Sequence, residues 1–158
     1  MRLMLALAAA VAFIATAAQA QDLKVTVAGR DSVVLGPKDL AALPRAKATI
    51  KVKGADVTYE GVRLDAVLAQ AGVVHGERLM ERYLNQVIIA RAADGFFSVL
   101  SLAETDPVYR ANPVVVADTV NGHKLDAREG PYRLVVDGDL RPSRAPRQLT
   151  SIEVKPAF

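Results

Sequence analysis

The chain contains no cysteine and no tryptophan, and only two histidines. Without cysteine it can form no disulfide, hold no metal through a thiolate and present no thiol nucleophile. His75 and His123 fall in separate turns, with no second histidine or carboxylate at ligand spacing, so no metal is expected. Aromatic residues make up 5% of the chain, too few to interleave with bases along a nucleic-acid-binding face. Charge is not one-sided either: 20 Lys and Arg stand against 17 Asp and Glu, a net charge of +3. No serine sits in a G-x-S-x-G elbow, no glycine-rich strand-to-helix turn is present, and no acid–base pair stands out. These absences favour binding over covalent or redox chemistry, and the chain reads as a binding protein more readily than as an enzyme.

One long apolar run is present, at the start. Arg2 supplies a positive end, Leu3 to Ala17 an apolar stretch, and Ala18-Gln19-Ala20 an A-x-A cleavage site. The run is shorter than the roughly 20 residues a spanning helix needs. Residues 1–20 therefore read as a cleaved signal peptide and residues 21–158 as one exported domain, not membrane-embedded. Removing the signal takes away Arg2 and no acid, so the net charge falls from +3 to +2. An export signal on a chain without disulfide-forming residues points to a bacterial periplasm.

Turn signals punctuate the remainder. LKVTV (Leu23–Val27) alternates as a half-buried strand, and Ser32–Leu35 follows the Arg30-Asp31 turn. Gly36-Pro37 precedes a short helix, Lys38–Leu43, that Pro44 stops. Lys47–Lys53 alternates again, with Ala55–Glu60 as its partner across Gly54. Leu64, Val67, Leu68 and Ala71 stand at helical spacing ahead of Gly72. Gln86–Arg91 reads as a strand paired with Phe96–Leu100 across Asp94-Gly95, and Ser101 to Glu104 has capping-box spacing. Pro113–Asp118 is apolar enough for a central strand, and Asn121-Gly122 marks a hairpin turn. Many short strands with two short helices predict an α+β, β-rich single domain with mixed sheets, sandwich-like or barrel-like, with helices at its rim.

The final segment, GPYRLVVDGDLRPSRAPRQLTSIEV (Gly130–Val154), reads as a buried strand, a basic loop and a second strand. Arg141, Arg144 and Arg147 lie on that loop, where Pro142 and Pro146 restrict the backbone. Such a loop can turn several guanidinium groups toward one anion at a reduced entropic cost. A solvated basic loop is the plainer reading of the same residues.

Four stretches, in order, resemble the sulfite-oxidase-type molybdopterin-binding fold. They are Tyr59-Glu60-Gly61-Val62-Arg63-Leu64 with the following DAVLAQAGV; Ala93-Asp94-Gly95-Phe96 with SLAE; VVVADTVNGHKL (Val114–Leu125); and Gly130–Val154. Catalytic members of that family carry a molybdenum-binding cysteine about where Val52 or Lys53 stands here, and Asp56 is the one nearby oxygen donor. The chain is accordingly similar to a small, exported, cysteine-less branch of the fold. The resemblance implies a pterin or molybdopterin-like ligand without a metal, and a role as a sensor subunit for a membrane-bound cyclic-dinucleotide signalling enzyme. A molybdopterin-dependent oxidoreductase whose metal is held without cysteine is the alternative.

A pterin needs a flat apolar wall, a carboxylate for its amino-oxo edge and arginine for any anionic tail. The resemblance aligns Arg144 and Arg147 with cofactor-contacting residues of the family, whereas Arg141 matches no position the family requires. Asp94 is the carboxylate candidate, although Asp94-Gly95 is first of all a hairpin turn. Arg91 stands nearby, to join the site or merely to pair with Asp94. Phe96 is the candidate wall, and Tyr59 replaces an aromatic that the family keeps near the pocket, with a structural sheet tyrosine as the commoner case.

Overall fold

A computed structural model describes residues 21–158; the signal peptide expected at residues 1–20 lies outside the described residues. The strands are β1 (Leu23–Val27), β2 (Val33–Leu35), β3 (Arg45–Val52), β4 (Ala55–Arg63), β5 (Gln86–Ala92), β6 (Phe97–Ser101), β7 (Val114–Val120), β8 (His123–Lys124), β9 (Arg133–Val136) and β10 (Leu149–Pro156). Two short helices, α1 (Pro37–Ala41) and α2 (Leu64–Gln70), complete a β-rich α+β domain. No helix among the described residues is long and apolar enough to cross a membrane.

The strands form two sheets. One runs in the order β2-β1-β10-β5-β6; the other runs β3-β4-β7-β8, with β9 also paired to β7. The first sheet is mixed, because β1 and β10 are parallel while its other pairs are antiparallel. The main core lies between the sheets, where Val25, Ile88, Leu100 and Ile152 meet Val62, Val116, Leu134 and α2's Leu64, Val67 and Leu68.

Alternation places the second core. Along β7, Val114 and Val116 face the main core, while Val115 and Ala117 join Ala48, Ile50, Tyr59 and Val135 in a smaller cluster. An unbroken apolar run such as PVVVA is the sign of a strand buried on both faces. The turn after β9 curls the second sheet around this cluster by pairing with the outer edge of β3. Thr49 N–H donates to Asp137 Oδ1 at 2.7 Å, Gly138 N–H to the Thr49 carbonyl at 2.9 Å, and Lys51 N–H to the Asp139 carbonyl at 2.9 Å. Gly61 sits where β4 presses on β7, and a Cβ there would stand 2.0 Å from the Val116 carbonyl oxygen. Only glycine permits that approach.

The expected strands and helices are present, with ends shifted by up to three residues, the most at β4, which runs on to Arg63. The sequence offered no reading for residues 73–85, which form 3₁₀ turns at Gly76–Arg78 and Glu81–Tyr83. The capping box at Ser101 is formed, with Glu104 N–H donating to Ser101 Oγ and Ser101 N–H to the Glu104 carboxylate.

Candidate functional site

A cavity of about 340 Å³ opens at the seam between the sheets, where strand ends and the β9–β10 loop converge. It is lined by Val52 at the end of β3, Ala92 at the end of β5, Asp94 and Phe96 in the β5–β6 turn, Glu129, Arg133 at the start of β9 and the loop residues Pro142, Ala145, Pro146 and Arg147. Backbone bonds hold the loop against its neighbours: Leu134 N–H to the Pro146 carbonyl, Gln148 N–H to the Glu129 carbonyl, Leu149 N–H to the Tyr132 carbonyl and Ala93 N–H to the Gln148 carbonyl. The wall is therefore fixed through main-chain contacts, independently of what its side chains do.

Sequence reading missed Glu129 and Arg133, and Arg133 is the more deeply buried of the two. It opens β9, and period two puts it on the same face as Val135, toward the smaller cluster. It is 4% exposed. Its Nη1 donates to Glu129 Oε1 at 2.5 Å and to the Tyr59 hydroxyl at 2.8 Å, and its guanidinium lies 5.0 Å from the Tyr59 ring centre. Arg133 Nε has no hydrogen-bond partner among the described residues. The Tyr59 hydroxyl donates in turn to Glu129 Oε2 at 3.4 Å. Burial pushes the Tyr59 phenol above its ordinary pKa; the positive Arg133 pulls it down and the negative Glu129 pushes it up again. A signal for this triad was present in the sequence: an arginine inside a strand otherwise buried on both faces has to find a carboxylate.

The other candidates divide. Asp94, Phe96 and Arg147 line the cavity, and Tyr59 stands behind it through Arg133. Asp94 also performs the turn role, accepting the Phe96 N–H at 2.9 Å. Arg147 forms no ion pair among the described residues. Arg144, by contrast, is not among the lining residues. Its Nε and Nη2 donate to Asp139 and its Nη1 to Glu104, at 2.7 to 2.9 Å, and these carboxylates hold its pKa above the ordinary arginine value. Arg91 pairs with Glu153 at 3.4 Å, not with Asp94, and stacks over the Phe97 ring on the outer face of its sheet. Arg141 is exposed and does not line the cavity.

Of Val52 and Lys53, the two positions where the resemblance places the family's thiolate, Val52 lines the cavity and Lys53 does not. Asp56 is held by Lys51 Nζ at 2.6 Å on the exposed β3–β4 hairpin. Among the described residues no three His, Cys, Asp or Glu side chains gather as a metal site would require.

No protein-family model matches this sequence, and no curated protein matches it. In fold the chain is similar to the sulfane dehydrogenase SoxCD from Paracoccus pantotrophus, with a TM-score of 0.62 and 20% identity. The match covers 85% of this chain and 38% of that one, so the chain spans well under half the length of its neighbour. At that identity the likeness is one of fold, a β-rich α+β domain.

Proposed function

We propose that the cavity holds a pterin or a related flat heterocycle and that the chain acts as a binding protein. One observation carries this reading: Asp94, Glu129, Arg133, Arg147 and Phe96, two carboxylates, two guanidinium groups and an aromatic ring, border one space of about 340 Å³. That volume lies at the small end of ligand pockets. Carboxylates accept from the amino and ring N–H groups of such a heterocycle, arginines donate to its oxo group or to an anionic tail, and Phe96 with the loop prolines walls its faces. The donor set suits the heterocycle and does not suit a thiolate-held metal, because neither Val52 nor Lys53, where the family's cysteine would stand, is a cysteine. Calorimetric titration with tetrahydrobiopterin and with pterin-6-carboxylate tests the proposal. Binding at about 50 μM or tighter is expected, and absence of heat or fluorescence change with both ligands would overturn it.

The role as a sensor subunit for a membrane-bound cyclic-dinucleotide enzyme rests on the resemblance in sequence, and a periplasmic location rests on the expected signal peptide. Sequencing the N-terminus of protein from its host tests export, with Gln21 as the expected first residue. A second reading, a molybdopterin-dependent oxidoreductase subunit, is favoured by the fold likeness to a dehydrogenase. Molybdenum near one equivalent in protein purified from its host would put that reading first.

A further inference from the structure

The four charged residues that line the cavity are not held alike. Asp94 accepts the Phe96 N–H within its own turn, and Arg147 is tied to no carboxylate among the described residues. Glu129 and Arg133 are instead fixed against each other. Arg133 Nη1 carries two hydrogens, and both are used, one on Glu129 Oε1 and one on the Tyr59 hydroxyl. Its Nε is sealed from solvent and out of a ligand's reach. Nη2 also lacks a partner among the described residues but is not sealed in that way. Since Arg133 borders the cavity, Nη2 is the donor it has left to offer there. Glu129 borders the same space with a side chain 25% exposed. Each of its oxygens holds one donor, Oε1 from Arg133 and Oε2 from Tyr59. A carboxylate oxygen has two lone pairs, so each keeps one for a ligand.

We propose, resting on the heterocycle proposed above, that Glu129 and Arg133 together read the ligand's lactam edge, a ring N–H beside a ring C=O. The ring N–H donates to Glu129, and the oxo group accepts from Arg133 Nη2. This acceptor and donor already stand side by side, braced by their own ion pair and by Tyr59, so little ordering is needed on binding. Asp94 and Arg147, held by no such mutual bond, are left for the remainder of the ring and for any anionic tail. Selectivity follows from what the wrong edge would meet. A 2,4-diamino ring reverses both positions: a ring-nitrogen lone pair faces the Glu129 carboxylate, and an amino N–H faces the Arg133 guanidinium. Such mismatched polar groups lose their partners on burial. Protonating that ring to restore its N–H would set a cation beside Arg133.

Fluorescence titration with 2-amino-4-oxopteridine and with 2,4-diaminopteridine tests this, because the two differ only along that edge. The oxo ligand should bind at least about 100-fold more tightly to the parent chain. Glu129→Gln, whose amide can turn either a donor or an acceptor to the ring, should cut the preference to less than about tenfold. Asp94→Asn should lower both affinities together and keep the preference. If Glu129→Gln folds poorly, the parent chain and Asp94→Asn still decide. Equal affinity of the parent for the two ligands overturns the assignment and leaves the pterin reading standing. A preference that Asp94→Asn abolishes and Glu129→Gln retains overturns it too, and hands the edge to Asp94. Binding of neither ligand removes the pterin reading and this assignment with it.

Discussion

Arg144 lies on the β9–β10 loop, Arg133 opens the strand that leads into it, and both are held by carboxylates, yet their settings differ. Arg144 stands at the surface with a side chain 39% exposed, divided between Asp139 and Glu104, and every nitrogen of its guanidinium is engaged. Arg133 is buried in the cavity wall with Tyr59 and Glu129 on Nη1 and no partner on Nε. An arginine in a conspicuous basic loop can thus be spent on holding the loop, while one hidden in an apolar strand faces the space a ligand would fill. Exposure in the sequence pattern is a poor guide to availability; what counts is whether acids have already claimed every nitrogen of the group.

The largest expected effect of breaking this contrast is at Arg133. Arg133→Met takes the charged donor from Glu129 and the Tyr59 hydroxyl, and with Glu129 partly exposed at the cavity the loss of these charge-assisted bonds should cost about 1.5–3 kcal/mol. Urea denaturation of the variant measures it. Adding Glu129→Gln should return part of the loss, because the stranded carboxylate, more than the missing packing, is what destabilises. A loss below about 1 kcal/mol would place Arg133 with ordinary surface arginines.

Arg147 separates binding from stability. It lines the cavity with no carboxylate holding it among the described residues, so Arg147→Ala should leave unfolding within about 0.5 kcal/mol of the parent. Pterin-6-carboxylate affinity should fall about 10- to 100-fold, the loss of one charge-assisted hydrogen bond. Unchanged affinity beside intact binding in the parent would move the ligand's anionic end elsewhere.

Much of the fold could be read in advance because its signals are local. The Lys53-Gly54, Asp94-Gly95 and Asn121-Gly122 turns and the alternation of β1, β3 and β10 need only their own neighbours. The parallel pairing of β1 with β10 could not be read, since it joins the two ends of the domain and leaves no local trace. The site was partly legible for the same reason. Asp94 and Phe96 belong to a turn, and Arg147 to a proline-bounded loop, whereas Glu129 and Arg133 become site residues only when β9 pairs with β7 and brings Arg133 to Tyr59 and Glu129. Arg144 misled because the sequence places Glu104 far from it, and the fold brings them to 2.7 Å.

Arg144→Ala is a smaller test. Its bridges are partly exposed, so their loss should cost about 1 kcal/mol, read by urea denaturation. Ligand affinity should stay within a factor of two or so, because the main-chain bonds of Leu134, Gln148 and Leu149 still hold the loop. A drop in affinity matching that of Arg147→Ala would show that the Arg144 bridges position the cavity wall after all.

The smallest effect is in the alkaline limb of stability. Burial raises the pKa of Tyr59 above 10.0, and burial likewise raises that of Tyr132. Between the unfolded and folded values the native chain still holds these protons while the unfolded chain has released them. The unfolded state then binds fewer protons, so stability falls as pH rises past about 10 and levels off only above the folded values. Denaturation midpoints from about pH 8 to 11 should show this decline in the parent. Tyr59→Phe should start lower at neutral pH, having lost the hydroxyl that accepts from Arg133, yet fall less steeply above pH 10; Tyr132→Phe should flatten the slope without disturbing the triad. If Tyr59→Phe and the parent decline in parallel, the phenol is not held in the desolvated setting that sets the buried arginine apart from its surface neighbour.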